Sequence, residues 1–337
     1  YFEKDQRAHR YASPALPIPD LLDIGAYKDG YYAISTRVHG TPLEEVGAAQ
    51  WRALVPSLVT ALEAMRMADI SVTTGVGGWG ADGNAATASW TEHLLAVNVD
   101  TPERRTYGWR ARLAEFSPQG EAAFAWGYDL LKQMASDGVP RGLLHCDLIN
   151  RNVLVQDAAI TGVFDWGCSL YGDHLYELAW FEFWAPWSPQ LDVPYLRTQL
   201  EAHWRAIGYE PADKAARLAA CYLHIGLDHL AYNAYLGDWA YTIALALSVS
   251  AFVAKFAHGI GRVGKLAKDR YGVEMPLGSV SPNLQVGDDA AKPSQETPNS
   301  TLESRATSIR PTKSLTLYRC PSRRCSKAAR TLPAPRA

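Results

Sequence analysis

Two short stretches, HCDLINRNVLV (145–155) and VFDWG (163–167), decide the fold. Apolar residues flank a polar turn in each, which predicts short β segments joined by polar loops. Asp147 and Asn152 are five residues apart across the first loop, and Asp165 follows Asn152 by thirteen residues, after a strand return. We therefore expect the three side chains to converge at one edge of a β-loop-β frame.

The three side chains suit chemistry on a phosphate. Mg²⁺ prefers oxygen ligands and keeps several waters, so one carboxylate and one amide can hold it beside a phosphate. A separate carboxylate can then accept the proton of an attacking hydroxyl, as in kinase-type phosphoryl transfer. A lone Asp in a loop is more often a cap or a turn former. The full pattern H-x-D-x-x-x-x-N-V-L followed by F-D-W indicates a kinase-like catalytic core, in which we interpret His145 as structural support for the loop.

These motifs, and others along the chain, resemble the aminoglycoside phosphotransferase family over roughly residues 1–265. The resemblance implies an α+β, protein-kinase-like fold: the remnant of a small β-containing N-lobe, a large, mostly α-helical C-lobe and a disordered C-terminal tail. It also implies transfer of the γ-phosphoryl group of ATP to a hydroxyl of an aminoglycoside antibiotic. The segments that carry the likeness are YASPALPIPDLLDIG (11–25), AISTRVHG (33–40), HCDLINRNVL (145–154), VFDW (163–166), GDHLYELAWFEFWAPW (172–187) and IGLDHL (225–230).

The family's functional positions carry over to this sequence. The resemblance makes Asp147 the catalytic base and makes Asn152 and Asp165 the ligands of Mg²⁺. The stretch AISTRV matches the connector between the two lobes, whose backbone hydrogen-bonds adenine. The residues expected to contact adenine in this way are Thr36, Arg37 and Val38.

Four residues are candidates for contact with the acceptor. Trp184 and Trp187, three residues apart, suit either the core or an aromatic face for sugar rings and cations, and the resemblance favours substrate contact. Glu177 could face the ammonium groups of the substrate. Asp228 could add an anionic group, although a capped or salt-bridged structural Asp is an equal alternative. Asp173 is interpreted as the N-cap of the helix that begins beside it.

The sequence departs from the family in three places. Cys146 stands where a small residue is usual, and Arg151, directly before Asn152, could bind phosphate or repel an aminoglycoside. The family also has an upstream phosphate-covering hairpin and a strand Lys that pairs with ATP. We expect this chain to be N-terminally truncated, with Glu3 or Asp5 as the acidic residue that would orient that Lys. A catalytically weak or inactive remnant, and a kinase for another hydroxylated metabolite such as choline, are therefore alternatives.

Composition limits the class of protein. The 337 residues are 47% hydrophobic, which is enough to bury a sizeable core. A formal net charge of −2 gives no whole-chain argument for nucleic-acid binding, and a mean hydropathy of −0.17 disfavours a membrane span. Five scattered cysteines without metal-ligand spacing favour reduced thiols. No targeting signal is visible. We expect a cytoplasmic monomer that acts on a small molecule, with ATP and Mg²⁺ as cofactors and no nucleic-acid or membrane partner.

The chain divides into three predicted regions: a partial N-lobe with hinge (1–43), a helical catalytic C-lobe (44–275) and a low-complexity basic tail (276–337). The tail carries 10 Lys and Arg against 4 Asp and Glu, which leaves residues 1–275 with a net charge of −8. An acidic cleft would raise the local concentration of a polycationic aminoglycoside. Pro, Ser and Thr dilute the apolar residues of the tail, which predicts disorder. The glycine-rich stretch VTTGVGGWGADGN (72–84) is interpreted as a plain loop.

Local patterns predict further secondary-structure elements. LLDIG (21–25) and YYAISTRV (31–38) are expected to be short strands that pair with each other and leave one open sheet edge. Helical spacing of apolar residues predicts helices over 48–68 and 103–115.

Overall fold

The computed structural model describes residues 2–28, 30–260, 315–321 and 329–331. The chain forms two compact units. The first comprises the described residues of Tyr1–Asp20 and Val38–Met275, and the second those of Leu21–Arg37 and Pro276–Ala337.

Helices make up most of the first unit. Apolar residues at helical spacing in α2 are buried, as the periodicity predicts, and Gly237 ends α8 in the left-handed conformation (φ 78°), with its N–H bonded to the carbonyl of Asn233 at 2.8 Å. The described helices are α1 (Phe2–Ala8), α2 (Ala48–Arg66), α3 (Trp90–Leu95), α4 (Trp109–Phe116), α5 (Pro118–Met134), α6 (Leu175–Trp184), α7 (Val193–Ala206), α8 (Lys214–Leu236) and α9 (Trp239–Ile260). None of these helices is both long enough and apolar enough to span a membrane.

The strands form three sheets among the described residues. Their orders are β1-β2-β10-β11, β3-β7-β8 and β5-β4-β9-β6, and neighbouring strands in each sheet are antiparallel. The strands are β1 (Leu21–Tyr27), β2 (Gly30–Thr36), β3 (Thr41–Pro42), β4 (Val76–Trp79), β5 (Ala85–Thr87), β6 (Gly142–Leu144), β7 (Val153–Gln156), β8 (Ala159–Val163), β9 (Leu170–Gly172), β10 (Leu315–Pro321) and β11 (Ala329–Thr331).

The second unit contains the predicted pairing of LLDIG with YYAISTRV, as β1 with β2. β1 remains a terminal strand of its sheet, whereas the other edge of β2 pairs with β10 from the tail. Disorder of the tail stays a prediction, and the structure describes two short strands in it, β10 and β11. An unpaired strand edge presents backbone donors and acceptors, which an extended segment of low complexity can satisfy. The other residues of the tail lie outside the described residues.

The glycine-rich stretch is not a plain loop, and that prediction was wrong. It contains β4 and the turn that leads into β5, and Trp79 at the end of β4 is 3% exposed and stacks on Tyr171 of β9, with ring centroids 5.6 Å apart. Gly75 has φ 73°, and a Cβ there would lie 2.0 Å from the carbonyl oxygen of Ala85. Gly75 therefore permits close approach of the two backbones, a role that the apolar pattern does not reveal.

Candidate active site

The hairpin of β7 and β8 brings the ends of the two catalytic motifs together. Val153 pairs with Val163, and the N–H of Phe164 donates to the carbonyl of Asn152 at 2.8 Å. Asn152 and Asp165 therefore lie at the same end of this hairpin, where the loop that follows β6 delivers Asp147. The structure thus brings the side chains of Asp147 and Asn152 into contact and places Asp165 at the same end of the hairpin.

Asp147 is held by two amide side chains. The side-chain amide of Asn150 donates to its Oδ1 at 3.1 Å, and that of Asn152 donates to its Oδ2 at 3.0 Å. Asn152 also donates to the backbone carbonyl of Asp147 at 2.6 Å. Asp147 as a whole is 7% exposed. These bonds fix its orientation relative to the hairpin, which a group that must align a reacting hydroxyl requires.

His145 supports the loop from beneath, as interpreted from the sequence. Its side chain is fully buried, its Nδ1 accepts the N–H of Asp147 at 3.2 Å, and its Nε2 lies 2.7 Å from the carbonyl of Phe164. Nδ1 is an acceptor, so the proton of the neutral ring is on Nε2, which donates to that carbonyl. The ring also packs edge-on against Trp166, with centroids 4.8 Å apart. It links the two catalytic motifs.

Glu177 does not face a substrate, contrary to the expectation from the sequence. It is 3% exposed on α6, and its Oε1 accepts the backbone N–H groups of His145 and Cys146, the latter at 2.9 Å. Burial raises the pKa of Glu177 to about 7, and the charge of Asp147 adds to the rise. α6 is buried along most of its length, so a carboxyl on its inner face meets the catalytic loop rather than solvent.

The second motif adopts a special backbone. Asp165 has φ 55° and ψ 64°, the left-handed region that non-glycine residues rarely adopt, and precedes the 3-10 turn Trp166–Cys168. Asp5 of α1 accepts the N–H of Trp166 at 2.6 Å, while Glu3 is exposed. Burial raises the pKa of Asp5 to about 7, and the charge of Asp165 raises it further. Of the two acidic residues considered from the sequence, Asp5 is the one that reaches the catalytic motif.

The side chains at the end of the hairpin fit a hard cation. The amide nitrogen of Asn152 is committed to Asp147, so the amide oxygen is the Asn152 atom that a cation would take. With a carboxylate oxygen of Asp165 it gives the oxygen donors that Mg²⁺ prefers. No group of three or more His, Cys, Asp or Glu side chains among the described residues is arranged to hold a metal ion. A cation here would depend on this pair, on water and on phosphate oxygens.

The predicted adenine contacts fall at the end of β2. Thr36 is the last residue of that strand, where its register partner is Leu315 of β10. Arg37 and Val38 follow before β3 begins at Thr41. Adenine binding by this segment stays a prediction.

Trp184 and Trp187 belong to a half-buried aromatic cluster, so each ring combines core packing with an exposed part. Their ring centroids are 5.3 Å apart, and Trp184 packs against His229 at 4.8 Å and Tyr241 at 6.3 Å. Asp228 precedes His229 on α8 and is exposed. These positions leave both tryptophans and Asp228 available to a ligand, whereas Glu177 is not.

Two further charged residues have structural partners. Asp173 is fully buried, accepts the N–H of Leu175 at 3.0 Å and forms a two-pronged ion pair with Arg217 at 2.8 and 2.6 Å. The N-cap position of α6 is His174, so the interpretation of Asp173 as the N-cap was wrong: Asp173 lies one residue earlier. No pattern in the sequence predicts its pairing with Arg217. Arg151, with φ 63°, forms an ion pair with Glu45 on the surface.

Sequence reasoning missed Asn150 and the anchoring role of Glu177. Asn150 lies inside the catalytic motif at a position that the pattern leaves open, although an amide two residues before Asn152 was a signal that could have suggested it. The partners of Glu177 are backbone groups more than 30 residues away, and no pattern in the sequence predicts them.

Comparisons with known proteins agree with this geometry. A model of the phosphotransferase enzyme family (APH) matches residues 2–211. Hygromycin-B 4-O-kinase of Escherichia coli is 32% identical over 232 residues, which cover 68% of this chain and 64% of that protein. The match thus spans just under two thirds of that relative.

Solved structures give the same result. The apo form of a thermostable mutant of aminoglycoside phosphotransferase APH(4)-Ia superposes with a TM-score of 0.65 at 30% identity, covering 76% of this chain and 84% of that one. A ternary complex of a related mutant with AMP-PNP and hygromycin B gives a TM-score of 0.64 at 30% identity, covering 76% and 83%. The predicted α+β, protein-kinase-like fold is confirmed by these neighbours. Because the family match spans more than half of the chain and includes the catalytic loop, its hairpin and α6, the chain belongs to the phosphotransferase enzyme family.

Proposed function

We propose that this protein transfers the γ-phosphoryl group of ATP to a hydroxyl of an aminoglycoside, with hygromycin B as the first acceptor to consider. The observation that carries the proposal is the pair of amide side chains that fix the Asp147 carboxylate beside Asn152, at the same hairpin end as Asp165. The relative named for hygromycin B, and the solved complex with AMP-PNP and hygromycin B, support this choice of nucleotide and acceptor.

In this proposal Asp147 orients the acceptor hydroxyl and accepts its proton as the oxygen attacks phosphorus. Its two amide partners keep the carboxylate from rotating away, so the hydroxyl meets a fixed acceptor. Asn152 and Asp165 would hold Mg²⁺, which neutralises charge on the phosphate oxygens when it is bound. Thr36, Arg37 and Val38 would bind adenine through their backbone.

The acceptor would lie against the aromatic cluster. Trp184 and Trp187 offer faces for sugar rings and for ammonium groups, which aromatic faces attract. Asp228 is exposed next to His229 and would pair with an ammonium group. Arg151 is drawn towards Glu45 by their ion pair, which lessens its repulsion of a polycationic acceptor.

The test is Asp147→Asn, assayed by ADP release and by the mass of the product with hygromycin B, other aminoglycosides, choline and amino sugars. We expect kcat with the preferred acceptor to fall by about 100-fold or more, the usual contribution of a positioned base. The matched control is Asp157→Asn, the same substitution in the exposed turn of the same hairpin, which should leave turnover unchanged.

Three results would contradict the proposal. Equal turnover by wild type and Asp147→Asn would remove Asp147 from the mechanism. Phosphorylation of choline or an amino sugar alone would make the protein a kinase for another metabolite. A folded wild-type protein that phosphorylates nothing in the panel would identify it as an inactive member of the family.

A further inference from the structure

Lys4, near the start of the chain, contacts the second catalytic motif and the turn that follows it, more than 160 residues later in the sequence. The ammonium group of Lys4, in α1, donates to the backbone carbonyls of Gly167 at 3.0 Å and Ser169 at 2.9 Å. It also lies 4.6 Å from the ring centroid of Trp79, a cation–π contact that fixes it from a third direction. Its half-buried position and three partners distinguish it from a solvated surface lysine.

Its neighbour completes a clamp. Asp5 accepts the N–H of Trp166 at 2.6 Å. Two consecutive side chains of α1 therefore bind the backbone of 166–169: Asp5 binds an N–H group and Lys4 binds two carbonyl groups. We call Lys4 and Asp5 the α1 clamp. The Ser169 N–H and Oγ both donate to the Trp166 carbonyl, at 3.0 and 2.6 Å, which closes the turn from within. Together these hydrogen bonds restrict the backbone torsion angles of residues 166–169.

The segment that the clamp holds begins at the residue with the unusual backbone. A non-glycine residue in the left-handed region is disfavoured by about 1–3 kcal/mol, and it persists only where its surroundings impose it. Asp165, at φ 55°, directly precedes the clamped turn. Fixing the backbone on the carboxyl side of Asp165 therefore fixes the direction in which its carboxylate is presented.

We propose that Lys4 is a positioning residue for phosphoryl transfer, acting through the backbone of 167–169 to orient Asp165 for a divalent cation. This role rests on the proposed function. Lys4 touches no reacting atom. Residues that orient metal ligands typically change metal affinity by about 10–100-fold when they are replaced, although they make no bond to the metal.

The test compares Lys4→Met, Lys4→Arg and the control Lys132→Met. Methionine keeps an unbranched apolar stem over Trp79 and removes the N–H donors, whereas arginine retains donors for the two carbonyls. Lys132 pairs with Asp129 at 2.6 Å on the surface of α5 and should be neutral. The first readout is the affinity for Mn²⁺ in the presence of ADP, measured by electron paramagnetic resonance. The second is kcat and acceptor KM with hygromycin B.

We expect Lys4→Met to bind Mn²⁺ about 10-fold more weakly or worse and to lose kcat in proportion, with acceptor KM within about 2-fold, and Lys4→Arg to recover most of both. Hydrogen exchange at the Trp166 amide should accelerate in Lys4→Met. A folded Lys4→Met with unchanged Mn²⁺ affinity and kcat would overturn the positioning role, and so would a wild type that binds no Mn²⁺ with ADP. A wild type that binds Mn²⁺ and ADP but phosphorylates nothing would contradict the proposed acceptor chemistry alone. The Mn²⁺ affinities of the Lys4 variants would still test the positioning role.

Discussion

The anchor between α6 and the catalytic loop gives the sharpest prediction. Glu177 holds two backbone N–H groups, of His145 and Cys146, through Oε1 alone. Its Oε2 is buried and has no hydrogen-bond partner among the described residues. The two substitutions Glu177→Ala and Glu177→Gln therefore separate two functions of this side chain. Alanine removes the acceptor, while glutamine keeps an acceptor oxygen of the same reach and removes the titratable group.

The cost of Glu177→Ala follows from the two N–H groups that it leaves buried and unpaired. Each such group costs about 1–3 kcal/mol, so the free energy of unfolding should fall by about 2–6 kcal/mol. That is a large share of the stability of a typical protein. The loop that carries Asp147 would also lose its anchor, so kcat should fall more than acceptor KM rises. We expect Glu177→Gln to lose less, about 1–3 kcal/mol near pH 5, because both N–H groups keep an acceptor while the new side-chain amide has none for its own N–H groups.

The pH dependence has a definite sign. The folded-state pKa of Glu177 is raised from 4.5 to about 7, so between these values the folded protein keeps a proton that the unfolded chain has released. Stability therefore falls as pH rises through this window. At about 1.4 kcal/mol per unit, the shift corresponds to about 3 kcal/mol. Glu177→Gln has no proton to lose, so its free energy of unfolding relative to wild type should rise by up to this amount between pH 5 and pH 8.

Urea unfolding at pH 5, 6, 7 and 8, followed by tryptophan fluorescence, measures all three proteins. The informative quantity is the difference in the free energy of unfolding between wild type and Glu177→Gln. Other titrating groups, Asp5 included, contribute equally to both proteins and cancel in this difference. If Glu177→Gln were as destabilising as Glu177→Ala at pH 5, the anchor would depend on a charged carboxylate. A difference that stayed constant from pH 5 to 8 would show that the pKa of Glu177 is not raised.

Three further predictions concern residues around the site. Arg217→Met leaves the buried carboxylate of Asp173 unpaired and should cost about 3–5 kcal/mol in urea unfolding, whereas Arg52→Met breaks an exposed pair and should cost about 1 kcal/mol or less; similar losses for both would contradict the structural role of the buried pair. Trp187→Ala should raise acceptor KM about 10-fold with little change in kcat if the ring only binds substrate, and an equal fall in kcat and kcat/KM would refute that role. At Arg151, where φ is 63°, glycine should be more stable than alanine by about 1 kcal/mol, and the reverse order in thermal melts would argue against the left-handed backbone.

The sequence predicted the long helices and the side chains of the site better than it predicted the contacts that hold those side chains in place. The α2 prediction began at the observed residue, Ala48, because apolar spacing there matches burial on one face. α4 starts at Trp109 rather than near Glu103, because Gly108 at φ 87° and its bond to Asp100 (2.7 Å) favour a turn before it. The motif spacing predicted that Asp147 lies near Asn152, and that Asn152 and Asp165 share one end of a hairpin, because local strand geometry sets these positions. Sequence patterns carry no comparable signal for long-range contacts from side chain to backbone.

Those contacts follow a physical rule at this site. Cys146 and Asp165 both have left-handed backbone, at φ 63° and 55°, and neither is glycine. Near each of them a carboxylate from a helix accepts a backbone N–H. Glu177 of α6 accepts the N–H of Cys146, and Asp5 of α1 accepts the N–H of Trp166, the residue after Asp165. A backbone conformation that is disfavoured by about 1–3 kcal/mol is thus offset by a hydrogen bond to a buried acidic group. The same bonds require α1 and α6 to be packed against the loop, so the catalytic geometry depends on helices far away in the sequence. This explains why the motif alone identifies the chemistry, while the geometry that performs it is encoded elsewhere in the chain.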